Sequence, residues 1–288
     1  MDEHCLEIGY IFYGLRLGKD EKAFLKAAKM HSVKLVIVNT FKKIDFKRLK
    51  RRFRNCKIIF NNSAEEKAMK VVKFLEKSKK RVIESSFSYY RDENKWGFCL
   101  KCMRKNIPVP KTIMLSKNID DALNEINEFN KWPVILKRVQ GCCGQFVDRA
   151  VNIEEAKKTI ERFNKKSKNY LPIIAQEFIK SPSYRITMVD GKILQAIVKK
   201  KGFWKKTGVY TKDFEKFRVS KKLDKLAKKI YNACSIKICG IDLFKKNNSW
   251  IVLEINSQPS YDFLDSEHQM IIERVMRCLV KESNKMAI

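Results

Sequence analysis

Along the first ninety residues, short apolar runs alternate with amphipathic stretches. Leu6–Phe12 is a mostly apolar run of strand length, and residues 33–38, 57–60 and 81–83 repeat the pattern. Between them, residues 19–30 and the stripe Ala64, Ala68, Val71, Val72 and Leu75 recur at helical spacing. Ser63 with Glu66 three positions on predicts a capping box, in which each side chain satisfies the other residue's backbone N–H. Strand–helix alternation of this kind predicts a parallel α/β sheet. No Gly-x-Gly-x-x-Gly follows the first strand, so no dinucleotide site is predicted there.

After Lys95 the pattern changes. A helix runs towards Asn106 and stops before Ile107-Pro108-Val109-Pro110, because proline can neither donate the next helical hydrogen bond nor let its predecessor stay helical. Ala122, Leu123, Ile126 and Phe129 form the stripe of a second helix. Then come a strand over 133–138, a Gly/Cys loop over 141–144, a helix over 152–163 and strands over 173–179 and 184–189. Asp190-Gly191 predicts a hairpin turn into a strand over 192–198. Leu223, Leu226, Ala227 and Ile230 mark another helix. Residues 240–245 and 250–256 form a hairpin around Asn247-Asn248, and a last helix carries Ile271, Ile272, Val275, Met276 and Leu279. There is no internal repeat.

With 288 residues and 44% hydrophobic content, the chain is long enough for two or three packed subdomains. Its charged residues, 33% of the total, are interleaved with apolar positions, which excludes global disorder. Met1-Asp2-Glu3-His4 does not open a secretory signal, and no apolar run approaches the ~20 residues of a membrane span, so a cytoplasmic protein without membrane contact is expected. Lys plus Arg number 62 against 32 acidic residues, a net charge of +30. A field of that sign draws anions: nucleic acid, a ribosome, an acidic carrier protein or a polyphosphate ligand. The plainer reading is a lysine-rich solvated surface. Residues 42–57, with Lys47, Arg48, Lys50, Arg51, Arg52 and Arg54, read as a basic helix, a solvated face before an RNA site. Nine cysteines, an odd number without a secretory signal, are expected to be reduced thiols. Cys99 and Cys102 form one CxxC, but His4, His31 and His268 supply no zinc spacing, so buried helix thiols are expected.

The sharpest candidate chemistry is acidic. Asp242 lies on one strand of the last hairpin, and Glu254 and Asn256 lie on the other at i and i+2, on one face. Three oxygen ligands across a hairpin suit magnesium, which completes its shell with water and phosphate; two ordinary strand acids facing water is the alternative. Lys137 ends an apolar strand just before Gly141-Cys142-Cys143-Gly144. A lysine there places a point charge on a phosphate, and the glycine loop brings backbone N–H groups near the same oxygens. Gln176, Glu177, Phe178 and Ile179 end another strand, whose backbone edge can read an adenine. Each of these motifs alone is common.

Their order carries more. Asn94-Lys95-Trp96, Ile107-Pro-Val-Pro-Lys-Thr112, Pro133-Val-Ile-Leu-Lys137, Gly141-Cys-Cys-Gly144, Gln176-Glu-Phe-Ile179, Arg185, Gly240-Ile-Asp-Leu-Phe244 and Leu253-Glu-Ile-Asn256 together resemble the ATP-grasp superfamily, and within it the RimK and LysX group of carboxylate–amine ligases. Tyr10-Ile-Phe-Tyr-Gly-Leu-Arg16 also resembles the start of LysX proteins. The resemblance implies an α/β (α+β) fold: an N-terminal parallel-sheet domain over 1–90, a central ATP-grasp subdomain with the glycine loop over 91–180, and a C-terminal subdomain with the magnesium site over 181–288. It implies ATP and magnesium, or manganese in its place. Lys95 and Lys137 would meet phosphates or the adenine edge, Gly141 and Gly144 would close over them, and Gln176 to Ile179 would hold adenine. Asp242, Glu254 and Asn256 would hold the metal. Arg185 would face an acyl phosphate, with Lys199 and Lys200 beside it.

The chain also departs from the pattern. Phe146 stands where RimK proteins carry a third loop glycine. The segment from Ile179 to Arg185 is short, with Ser183-Tyr184 in place of an acid before the arginine. Lys199 and Lys200 stand where relatives have arginines, and Gln258-Pro259-Ser260 replaces a Pro-Gly ending. The expected function is an ATP-dependent ligase joining a small-molecule or protein carboxylate to an amine, with an acidic acceptor or carrier protein favoured by the charge. Relatives of this group assemble as dimers or tetramers, so an oligomer of this chain is in keeping. A nucleotide-binding regulator that has lost ligation is the second reading, and a basic nucleic-acid or ribosome binder is the third.

Overall fold

The computed structural model describes residues 5–141, 144, 146–166, 171–199 and 213–285. Three sheets follow one another along the chain. The first is parallel, in the order β2-β1-β3-β4: β1 (Leu6–Phe12), β2 (Val33–Asn39), β3 (Ile58–Asn61) and β4 (Arg81–Ile83). Its strands alternate sides. Ile8, Tyr10, Ile58 and Phe60 face α1 (Lys19–Met30), while Ile11 and Ile59 face α2 (Phe46–Arg52) and α3 (Glu66–Lys77). The α1 side is shared with the end of the chain: α8 (Asp265–Asn284) lays Ile271, Ile272, Val275, Met276 and Leu279 into the same core.

Two local expectations need correction. Helix α3 begins at Glu66 with Glu65 at its N-cap and no side-chain cap, so there is no capping box. Ser63 turns its hydroxyl to the backbone N–H of Glu65, 3.2 Å away, and so closes a turn before the helix starts. The basic helix is only Phe46–Arg52, not 42–57. Asp45 starts it by accepting from the N–H groups of Lys47 and Arg48, and it ends where Phe53 turns fully into the core.

A five-residue π-helical turn, Ser88–Asp92, leads into α4 (Lys95–Arg104). The second sheet is antiparallel in the order β5-β8-β6-β7: β5 (Thr112–Met114), β8 (Ile173–Glu177), β6 (Val134–Arg138) and β7 (Val147–Ala150). Its outer face packs Leu136, Val134 and Ala175 on α5 (Ile119–Phe129) and α6 (Ile153–Lys165). Strand β8 stops at Glu177 rather than continuing to 179. Its last partner is Val134, and the next position, Pro133, has no N–H to extend the ladder.

The third sheet runs β11-β10-β9-β12-β13: β9 (Ser183–Val189), β10 (Lys192–Lys199), β11 (Glu215–Lys216), β12 (Ile238–Lys246) and β13 (Ser249–Asn256). Ile186, Met188, Ile241 and Leu243 point outward under α7 (Lys221–Ala233) and α4. The three cores therefore do not follow the chain segments. Helix α4 precedes the second sheet yet packs on the third, and α8 follows the third yet packs on the first. Burial also ties these parts together at Glu84, which accepts from the N–H groups of Lys237 (3.0 Å) and Ile238 (2.9 Å). Its carboxyl is pushed up to about 8 by burial.

Among the described residues, no helix is long and apolar enough to cross a membrane.

Candidate active site

Period-two alternation decides which side chains meet. On the inner face of the third sheet, Arg185 of β9 is level with Asp242 of β12, and Asp242 with Glu254 of β13; Asn256 is opposite Gly240. The three residues predicted as metal ligands thus share one face. Arg185 donates from Nη1 to both carboxylate oxygens of Asp242, at 3.0 and 2.8 Å, and Asn256 donates from Nδ2 to Asp242 at 3.0 Å. Gly240 makes the first contact attainable. A Cβ there would overlap the Arg185 guanidinium, so the arginine lies across the glycine. Arg185 is thereby tied to the acid set, which it neutralises in part.

The second sheet presents the opposite charge. Lys137, only 7% exposed, projects from the inner face of β6 and donates to Gln176 Oε1 on β8 at 2.8 Å; the Gln176 amide then donates to Thr112 Oγ1 at 2.9 Å. Gln176 therefore orients a lysine. Burial lowers the Lys137 ammonium to about 8, with nearby Lys95 adding to the fall and Glu254 opposing it. Lys95 stands at the first turn of α4, where Asn94 caps by accepting from Gly97 N at 2.9 Å. Its backbone N–H donates to Val139 O, just past β6, at 2.9 Å. Its ammonium donates to Gly141 O at 3.1 Å and lies 3.6 Å from Glu254. Lys95 is thus the ionic link between the glycine loop and the acid hairpin.

The electrostatics divide the two carboxylates. Burial would raise Glu254, but Lys95, Lys137 and Arg185 together hold it below the ordinary carboxylate range. Asp242 is raised, chiefly by burial and against the pull of Arg185, with the charge of Glu254 adding to the rise. Two carboxylates level with each other across a hairpin favour a cation between them, and Asn256 brings a neutral amide oxygen to the same face. Among the described residues no three His, Cys, Asp or Glu side chains gather as a metal cage. The set therefore fits magnesium, which needs one or two carboxylates when phosphate and water supply the rest. Lys95, Lys137 and the loop fit that phosphate.

Of the predicted loop, Gly141 has a φ of 145° and Gly144 a φ of 67°, backbone that favours glycine. Phe146, the departure from the glycine pattern, itself adopts a left-handed φ of 51°. The Arg138 guanidinium, 3.6 Å from the ring centroid, and the edge of Phe163 hold it there. Cys142, Cys143 and Lys200 lie outside the described residues. Lys199 ends β10, nearly fully buried, two positions beyond Ile197, which is level with Arg185. On the segment expected to border adenine, Glu177 accepts from Lys111 N at 2.9 Å and pairs with Lys246 at 2.5 Å. Burial pushes its carboxyl up, but these contacts outweigh that and hold it below its usual value. Phe178 and Ile179 follow the strand's end, and Ile179 is buried. Cys99 and Cys102 are free and buried, with thiols raised by burial.

One residue escaped the sequence reading. Glu93, two before Lys95, accepts from Ser257 N at 2.6 Å and from Ser257 Oγ, and so joins the approach to α4 to the residue after Asn256. Burial pushes its carboxyl up to about 7, against the pull of Ser257. Nothing in an isolated Glu-Asn-Lys marks it, because its partner is 164 positions away.

Comparison with known proteins identifies the family and the fold. A family model described as the RimK-like ATP-grasp domain matches residues 92–278. The tetrahydromethanopterin:alpha-L-glutamate ligase of Methanocaldococcus jannaschii is 28% identical over 177 residues, 59% of this chain and 60% of that protein. The alpha-aminoadipate–LysW ligase LysX of Sulfurisphaera tokodaii is 26% identical over 210 residues, 71% of this chain and 73% of LysX. The match spans about three fifths of the Methanocaldococcus ligase. A RimK domain ATP-grasp protein from Sphaerobacter thermophilus superposes with a TM-score of 0.75 at 13% identity, covering 94% of this chain and 98% of that one. D-alanine–D-alanine ligase from Bacillus anthracis, complexed with ATP, superposes with a TM-score of 0.72 at 15% identity, covering 98% of both chains. At such identities the likeness shows a shared fold.

Proposed function

The chain belongs to the RimK-like ATP-grasp family, and from that premise we propose that it is an ATP-dependent carboxylate–amine ligase working through an acyl phosphate. The observation that carries this reading is the convergence of two oppositely charged sheets. Lys95, Lys137 and Gly141 stand on one side, and Asp242, Glu254 and Asn256 stand on the other.

In this reading Asp242, Glu254 and Asn256 hold magnesium, whose role is to neutralise and align the ATP phosphates. Lys95 and Lys137 take the non-bridging phosphate oxygens. The segment from Glu177 to Ile179 borders the adenine. A substrate carboxylate oxygen attacks the γ-phosphorus and ADP leaves. The substrate amine then attacks the acyl carbon, loses a proton, and inorganic phosphate leaves as the amide forms. Arg185, already beside Asp242, stabilises the negative charge that grows on the carbonyl oxygen in that second step, with Lys199 nearby. Two of the relatives named above are a tetrahydromethanopterin:alpha-L-glutamate ligase and an alpha-aminoadipate–LysW ligase. With a net charge of +30, this chain suits an acidic acceptor, either an amino acid of that kind or an acidic protein tail or carrier.

Thermal unfolding with ATP and magnesium tests this reading. A ligand at ~100 times its dissociation constant adds ~2.7 kcal/mol to stability. Magnesium-dependent stabilisation by ATP is expected, and Glu254→Gln removes it. A shift that needs no magnesium, or that survives the substitution, rejects the site. Release of ADP and phosphate that depends on L-glutamate or an acidic peptide supports ligation, whereas nucleotide binding without turnover on any acceptor supports the regulator reading.

A further inference from the structure

The outer face of the third sheet carries a second cavity of about 910 Å³, between the β12–β13 hairpin and the start of α7. It lies across the sheet from the acid cluster, because Tyr184 and Arg185 are consecutive on β9 and point to opposite faces. Its floor is aromatic. Tyr184 meets Trp250 edge-on, with ring centroids 4.9 Å apart at 89°, and meets Phe217 at 5.2 Å and 82°. Its rim is cationic. Lys245 sits 4.6 Å from the Trp250 centroid and 5.1 Å from that of Tyr184, and Arg218 and Lys222 line the wall. Among the described residues these three cations have no acidic partner, and Glu215 is the only carboxylate on the wall. The other wall is β11.

We propose that this groove docks an acidic peptide segment of a protein partner. Three unneutralised cations around one face select negative charge. The ring geometry favours peptide over nucleic acid. Single-stranded bases need free, parallel ring faces to stack on, whereas here the faces are occupied by neighbouring ring edges and by Lys245. What remains is an apolar floor for methylenes or one apolar side chain between carboxylates. The proposal deepens, and rests on, the acidic-acceptor reading given above: the segment bound here belongs to the protein whose tail or side chain is ligated.

The test uses the full chain and a fluorescein-labelled, glutamate-rich peptide with one central phenylalanine, followed by anisotropy. The variants are Arg218→Glu with Lys222→Glu, and separately Lys245→Glu. A glutamate at 222 lies in the first turn of α7 and suits the helix dipole, while Arg218 precedes its N-cap Ser220, so folding is retained. The expected result is salt-sensitive binding that weakens roughly tenfold or more in the double variant. Glu254→Gln leaves it unchanged, and the variants keep the stabilisation by magnesium and ATP. Equal affinity in wild type and variants, or no binding at all, overturns the proposal. So does a labelled oligouridylate that binds more tightly than the peptide and is weakened by the same substitutions, which would assign the groove to nucleic acid. Loss of the nucleotide response with intact peptide binding would instead reject the ligase reading and spare the groove.

Discussion

The two sheets that face the cleft are built alike and charged oppositely. Each buries an outer face under helices and turns a narrow polar strip inward, lysine on the second and carboxylate on the third. Each strip is partly satisfied within its own sheet: Lys137 by Gln176, Asp242 by Arg185 and Asn256. Two ion pairs join the glycine-loop side to the acid hairpin, Lys95 with Glu254 at 3.6 Å and Glu177 with Lys246 at 2.5 Å. Neither sheet alone is a nucleotide site. The chemistry is assembled when preformed halves face each other, so it can be dismantled from either side with the fold intact.

The comparison breaks most completely from the acid side. Asp242→Asn removes a carboxylate and leaves the part-buried Arg185 without its paired anion. Magnesium-dependent nucleotide binding is expected to be lost, and stability to fall by roughly 3 kcal/mol, read by calorimetry and urea unfolding. Gly240→Ala comes next. The added methyl displaces the Arg185 guanidinium, at a cost of about 1–3 kcal/mol in stability and a larger fall in turnover than in ATP affinity. A drop in ATP affinity with turnover intact would show that the arginine serves the metal site instead.

The lysine side is broken more gently by pH. With Lys137 titrating at about 8, ATP affinity is expected to hold steady below that pH and to decline by up to roughly tenfold per pH unit above it. Lys137→Met should bind more weakly and flatten the profile; an unchanged slope would assign the titration elsewhere. The smallest effect concerns the frame. Glu84 and Glu93 are raised above the ordinary 4.5, to about 8 and about 7, so the folded state holds their protons more tightly than the unfolded chain. Their contribution is full below 4.5 and is lost as pH rises through 7 and 8. Urea midpoints should therefore fall between pH 5.5 and 8.5, and Glu84→Gln should lessen that fall.

Much of this was readable in the chain. The acid hairpin was legible because strand alternation is local: Glu254 and Asn256 two apart, and Asp242 across a short turn. Lys137 and the glycine loop were legible for the same reason. Three things were not. The Glu93–Ser257 clamp joins residues far apart in the chain. The pairing of Arg185 with Asp242 depends on which strands become neighbours, since β9 and β12 are separated by a strand pair and a helix. The false capping box at Ser63 shows the converse, a local motif overruled by the turn before it. Phe146 shows a motif departing in residue type while its backbone keeps the left-handed turn.

The seating of α8 on the first sheet also bears on the order in which the chain is made. Ile8, Tyr10 and Phe24 leave the ribosome early, yet a large part of the core that covers them comes from Ile271, Ile272, Val275 and Met276, more than 240 residues later. Until that helix emerges, the α1 side of the sheet stays half-roofed, and closing it requires a loop nearly as long as the chain. Synthesis thus leaves the oldest hydrophobic face waiting for the youngest helix. A stop codon just before residue 265 would leave all the residues of the proposed site in place and still release a protein with an open, sticky flank.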